Sequence, residues 1–308
     1  MNKPANFRLF ILASVVALLL VSCGEFQRIV KKGDREQWYQ KGLEYYEAGE
    51  YAKASYLLGG LITAYSGTIR SDTIIRYYAM SLMNQGDYYS ASHYFQNYVK
   101  TFPSSESCEE CQYLCAYCYY KLSPKVELDQ SDTEKAIEEF QLYMNLYPEG
   151  EKVDRAAVMM KEMQDKLAYK SFMSAKLYFD LGEYMGNNYR SAVIVAQNCL
   201  KKYPDTSYRE ELSFLILEAK YIQAENSVVE KQSERYRDTI DEYYSFANEF
   251  PESSRMKKAN HILASSEKGL KHAEKLVPPS QDDLDYYRNY GTRLDREAEA
   301  ARAEEENK

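Results

Sequence analysis

Histidine is nearly missing: His93, His261 and His272 are the only three in 308 residues, which leaves few imidazoles to act as general bases or metal ligands. None lies in an H-E-x-x-H arrangement, and the chain has no G-x-S-x-G, no G-x-x-x-x-G-K and no G-x-G-x-x-G. These patterns are the common signatures of zinc proteases, α/β-hydrolases, P-loop enzymes and dinucleotide-binding enzymes. Carboxylate pairs are plentiful, but at helical spacing they are solvated faces, so no catalytic residue is assigned and no activity is expected. Excess positive charge is also missing. Removing Met1 to Ser22, whose only charges are Lys3 and Arg8, takes the net charge from -8 to -10, and an acidic body repels phosphate backbones. Nucleic acid is therefore excluded as an expected partner. No apolar run reaches the ~20 residues that span a bilayer. The longest, Leu9 to Val21, has the length of an export signal's apolar region.

That run ends in Leu20-Val21-Ser22-Cys23-Gly24, which resembles the lipobox of bacterial lipoproteins. The resemblance implies cleavage before Cys23, a diacylglyceryl group on its thiol and an N-acyl chain on its new amino group, with no other cofactor. At about 0.8 kcal/mol per buried CH₂, two or three acyl chains make a stable tether where one would be marginal. Residues 1–22 are thus read as a signal peptide and 23–37 as a short tether, at most about 50 Å long when extended.

Tyrosine is abundant, 31 residues against 11 Phe and one Trp. Such side chains suit half-exposed, partly apolar binding faces. The chain also repeats. Trp38-x-x-Lys41-Gly42-x-x-Tyr45, then Ala54-x-x-x-Leu58, follows the tetratricopeptide pattern, and Ala79 and Ala116 recur at successive steps of 37 residues from Gly42. Ala91 with Phe95, Ala136 with Phe140, and Ala192 continue the second-helix positions. Small residues belong where the two helices of a pair approach closely. Pro103, Pro148, Pro204 and Pro251 close successive units. The expected fold is all-α, a tetratricopeptide-repeat superhelix of about five helical hairpins at 38–70, 71–107, 108–152, 167–208 and 209–255, with a final helix at 256–276 and a charged tail at 277–308. Ser131-x-x-Glu134 and Ser207-x-x-Glu210 have capping-box spacing. Extra length is assigned to inserts at 123–131, 186–188 and 226–233.

On each first helix, residues one position away from the consensus face outward. They form stripes at +4 then +3 spacing: Tyr39, Leu43, Tyr46; Arg76, Met80, Met83; and Tyr113, Tyr117, Tyr120. Aromatics offer area at low entropic cost and Met adapts its shape, so stacked stripes would suit an extended peptide with alternating aromatic side chains, its carboxylate taken by Arg76 or Lys121. The competing reading makes the same stripes core between repeats. The four cysteines Cys108, Cys111, Cys115 and Cys118 are open to three readings: packing thiols, a disulfide best placed between Cys108 and Cys111, or a metal site. On one helix Cys108 and Cys118 would be about 15 Å apart, too far for one tetrahedral ion, so no metal is assigned.

Two stretches go beyond a generic repeat: Tyr120-Lys-Leu-Ser-Pro-Lys-Val-Glu-Leu-Asp-Gln-Ser-Asp-Thr133 and Tyr203-Pro-Asp-Thr-Ser-Tyr-Arg-Glu-Glu-Leu212. With the lipobox and the repeat order they resemble the BamD family of outer-membrane assembly lipoproteins, from the lipobox to about Ser254. The resemblance implies a protein anchored in the outer membrane on its periplasmic face, binding the barrel-forming BamA through its carboxy-terminal repeats and unfolded β-barrel outer membrane proteins through its amino-terminal ones. Ser66 in place of a closing proline, the lengthened Gly186–Asn188 turn and the acidic tail depart from that family. A periplasmic repeat scaffold for envelope maintenance or cell-wall synthesis is the alternative.

Overall fold

The computed structural model describes residues 24–278, and every regular element among them is an α-helix. The described chain opens in a helix, α1, which is followed over 24–32. The hairpins follow as α2 (Arg35–Glu47) with α3 (Tyr51–Gly59), α4 (Arg70–Asn84) with α5 (Tyr88–Thr101), α6 (Cys108–Leu122) with α7 (Ser131–Leu146), α8 (Val153–Leu181) with α9 (Asn188–Lys202), and α10 (Arg209–Glu225) with α11 (Val229–Glu249). Helix α12 (Met256–Leu276) ends the described chain. Two compact units divide at Met163 and Gln164, inside α8.

Within the first unit each helix from α2 to α7 packs on its neighbours in sequence, and α2 also touches α4. The small residues explain the close pairing. An added Cβ at Gly42 would lie 2.8 Å from both Cγ and Cδ2 of Leu58 on the partner helix. Ala54, Ala79, Ala91, Ala116 and Ala136, with Phe95 and Phe140, have no exposed surface. Trp38 and Tyr45 are half-buried. Gly86 turns α4 into α5 at φ 85°, where a side chain would be strained, and Asp87 then caps α5 by accepting from Ser90 N at 3.1 Å. In the second unit α9 to α12 pack in the same sequential way, with α10 touching α12; Ala168, Ala175, Ala192, Ala196 and Leu212 form the core on the α9 side, and Phe214, Leu217, Phe246, Ala259 and Ile262 the core of α10 to α12.

Helix ends obey one rule in both units. Phe102, Tyr147, Tyr203 and Phe250, each just before a proline, are the C-cap residues of α5, α7, α9 and α11. Proline forbids the helical conformation in the residue before it, which fixes the stop. A second link then joins the turn to the preceding first helix. Ser105 donates to Asp72 at 2.9 Å, Thr206 to Asp165 at 3.1 Å and Ser253 to Glu210 at 2.6 Å. Each of these hydroxyls also accepts the backbone N–H two residues on.

Four expectations need correction. Residues 24–32 are not extended tether: Ile29 is buried and its carbonyl accepts from Trp38 Nε1 at 3.1 Å. Helix α8 starts at Val153 rather than 167, because nothing between Gly150 and Gly182 breaks it. The insert at 226–233 is mostly the lengthened start of α11. Neither capping box forms, since Gln130 and Tyr208 occupy the N-cap positions without side-chain caps. Instead Ser131 N donates to Asp129, and Ser207 N to Asp165. The signal peptide, Cys23 and the tail beyond 278 lie outside the described residues.

Candidate binding faces on the two units

The outward stripes of the first unit have unequal fates. Tyr39, Leu43, Tyr46, Arg76, Met80, Met83, Tyr117 and Tyr120 are half-buried, and Lys121 is exposed. Tyr113 is core, contrary to the groove assignment. Only 3% exposed, it packs against Phe140 and Tyr143 and donates to Met159 Sδ at 3.6 Å, so it fills the space between α6, α7 and α8. It still starts a ladder of near-parallel rings, 6.5 Å to Tyr117 and 6.2 Å from Tyr117 to Tyr120, whose hydroxyl donates to Glu162 at 2.9 Å. Tyr46 meets the Tyr77 ring edge-on at 4.8 Å, and the Arg76 guanidinium lies 4.7 Å from that same ring. The structure therefore brings Tyr46 and Arg76 together through Tyr77. Tyr39 is held by Tyr65 and by Arg70, 4.8 Å from its ring. Lys121 is engaged by the Tyr88 ring of α5 at 5.9 Å.

Arg76 carries the chemistry of this face. Its Nε is buried and has no hydrogen-bond partner among the described residues. A buried donor without an acceptor costs about 1–3 kcal/mol, which a carboxylate or peptide carbonyl arriving from outside would recover. Met80 and Met83 flank it one and two turns along α4, both packed only in part. Burial raises the Tyr46 phenol above its ordinary range, which keeps that hydroxyl a neutral donor.

The second unit holds a cleft of about 440 Å³ that the stripes on α2, α4 and α6 did not extend to. Phe172, Lys176 and Phe179 of α8 line one side, Glu211, Leu215 and Glu218 of α10 another, and Arg255 and Lys258 the third. Both helix sets have the +4 then +3 spacing of the first-unit stripes, so the same rule applied further along the chain finds them. Its rim is charge-paired, Lys258 with Glu218 and Arg255 with Glu210 and Glu211, over an aromatic floor. Arg255 and Lys258 each stand 5.6 Å from the buried Phe214 ring.

The cysteines are packing groups. Cys108, Cys111, Cys115, Cys118 and Cys199 are all free and buried. Burial pushes the Cys111 and Cys118 thiols up to about 12 and raises that of Cys115 further, so they are not thiolates at neutral pH. No group of side chains suited to a metal ion occurs among the described residues.

Hairpins with alanine seams and half-exposed aromatic stripes on their first helices define the tetratricopeptide-repeat class of all-α fold. The sequence comparisons narrow this. A family model described as "Outer membrane lipoprotein" (YfiO) matches residues 31–227, and the chain belongs to that family. It is 24% identical over 248 residues to a protein of Aquifex aeolicus (strain VF5) described as a "putative outer membrane protein assembly factor BamD", covering 78% of this chain and 79% of that one. Among solved structures it is similar to the P58(IPK) TPR domain, 16% identical with a TM-score of 0.36, over 84% of this chain and 69% of that chain. The yeast Sti1 TPR2AB-domain complex with pHSP90 gives 14% and 0.33, over 76% and 98%.

Proposed function

We propose that this chain is the lipid-anchored scaffold subunit of an outer-membrane β-barrel assembly machine, tethered by acyl groups on Cys23 at the periplasmic face of the outer membrane. Membership of the outer membrane lipoprotein family and the likeness to an assembly factor support this reading. Unfolded barrel proteins dock on the first unit. Their strands alternate apolar side chains and often end in an aromatic residue with a free carboxylate, and the half-exposed Tyr46, Met80, Met83, Tyr117 and Tyr120 offer matching surface. The observation that carries this is the unpartnered Arg76 Nε beside Tyr77, a donor waiting for an acceptor in an aromatic setting. The barrel-forming BamA subunit docks on the second unit, where the cleft between α8, α10 and α12 provides aromatic area with a charged rim.

Photocrosslinkers placed at Arg76 and Tyr117 in the full-length protein in cells test the client assignment. Capture of nascent outer-membrane barrel proteins is the expected result. Capture restricted to cell-wall synthesis or envelope-maintenance proteins would overturn it in favour of a general envelope scaffold.

A further inference from the structure

Helix α1 is amphipathic, and its two faces have different owners. Phe26, Ile29 and Val30 lie on one side at helical spacing and turn toward the first hairpin. Phe26 meets Tyr45 at 5.9 Å and Tyr56 at 5.7 Å, Ile29 is buried, and Glu25 pairs with Lys41 at 3.7 Å. Arg28, Lys31 and Lys32 lie on the opposite side, all exposed, and Arg35 follows at the start of α2. None of these four has an ion-pair partner among the described residues, in a chain whose net charge is -8. Three unpaired cations on one face of a helix docked to an acidic protein point away from that protein.

We propose that this cationic face rests on the anionic phospholipid headgroups of the leaflet that holds the acyl chains. The inference rests on acylation of Cys23, the residue immediately before Gly24. With a rise of 1.5 Å per residue, Arg28 to Lys32 fall within about 8–14 Å of the anchored residue, inside or close to the reach of the surface potential. The apolar face of α1 is already used by the hairpin, so the contact is electrostatic rather than an insertion. Because α1 is fixed to α2 and α3 through Phe26 and Trp38, resting α1 on the membrane also sets the orientation of the first hairpin. A cation near an anionic membrane surface favours the docked state about fivefold, so three favour it about a hundredfold.

The single tryptophan, Trp38, donates to Ile29 directly beneath α1 and serves as the probe. The full acylated protein is reconstituted in vesicles of phosphatidylcholine, with and without phosphatidylglycerol, each containing a headgroup nitroxide. Mass spectrometry of the purified protein first reads the acyl groups on Cys23. Stronger quenching of Trp38 in the phosphatidylglycerol vesicles, abolished by high salt and by R28Q/K31Q/K32Q but kept in K257Q/K268Q/K271Q, is the expected result. Equal quenching in both vesicles, or full quenching by the R28Q/K31Q/K32Q protein, overturns the proposal. A Cys23 without acyl mass overturns the anchor and this proposal together, whereas an acylated Cys23 with lipid-indifferent quenching overturns the proposal alone.

Discussion

Asp72→Ala should unlock the turn that joins the second hairpin to the third. Asp72 Oδ1 accepts from Tyr98 Oη at 2.7 Å, its Oδ2 accepts from Ser105 Oγ at 2.9 Å, and the two hydroxyls are themselves 2.7 Å apart. Tyr98 has no exposed surface. Burial, together with the bond to Asp72, pushes its phenol up to about 12, against the lowering effect of Ser105. Hydrogen bonds to a charged acceptor contribute about 1.5–3 kcal/mol each, and once Asp72 is gone the two freed hydroxyls can bond each other and offset part of the loss, so the expected destabilisation is about 2–4 kcal/mol. Tyr98→Phe alone should cost about 1–2 kcal/mol, because Asp72 keeps Ser105. In the Asp72→Ala background it removes only the hydroxyl–hydroxyl bond and should cost less, about 0.5–1 kcal/mol, giving a coupling of about 0.5–1 kcal/mol. Urea unfolding followed by Trp38 fluorescence reports the unit that contains all three residues. Additive effects, or an Asp72→Ala cost below about 0.5 kcal/mol, would refute the reasoning.

Four further outcomes follow from other parts of the molecule. The five buried thiols should resist Ellman's reagent in the native protein and react together once it unfolds; rapid native labelling at any of them would contradict the packing assignment. Because Cys111 and Cys118 sit near 12 in the fold against an ordinary 9.0, the unfolded chain loses these protons first. Their contribution to stability should therefore be intact below about pH 9 and lost as pH rises toward 12, read as a fall in melting temperature that is smaller in Cys→Ala controls. Gly42→Ala should destabilise the first unit by up to about 2 kcal/mol, the clash with Leu58 exceeding the helix-propensity gain, and Gly42→Val by more; a stabilised Ala variant would show that α2 and α3 separate freely. Arg76→Gln and Tyr117→Ala should each weaken binding of a peptide ending in an aromatic residue and free carboxylate about tenfold in calorimetry, and amidating that carboxylate should remove the Arg76 effect.

The parts legible in the sequence are those fixed by one residue at one spacing. Gly42, Ala79 and Ala116 mark close helix approach because nothing larger fits, and the aromatic–proline pairs mark helix ends because proline permits no alternative. The outward stripes were legible as stripes, but whether a tyrosine stays half-exposed depends on what lies beyond its own hairpin. Tyr113 is core because Met159 of α8 reaches it, a contact that helical spacing within α6 does not contain. The cleft beside Phe172 and Phe179 obeyed the same spacing and was reachable, whereas the Asp72, Asp165 and Glu210 links join residues about thirty to forty apart and leave no local signature. Helix α1 is illegible for another reason. Residues 24–32 show only a few apolar positions, and what holds them is the packing of Ile29 and Phe26 on the hairpin.

The central claim, that this lipoprotein is a working part of barrel assembly, is tested most directly by affinity purification of the tagged full-length chain from detergent-solubilised outer membranes. The account predicts that the barrel-forming BamA subunit co-purifies in near-equal amount and is lost when Phe172 and Phe179 are replaced by alanine in a protein that still folds. Recovery of cell-wall synthesis proteins with no barrel-forming subunit would contradict it.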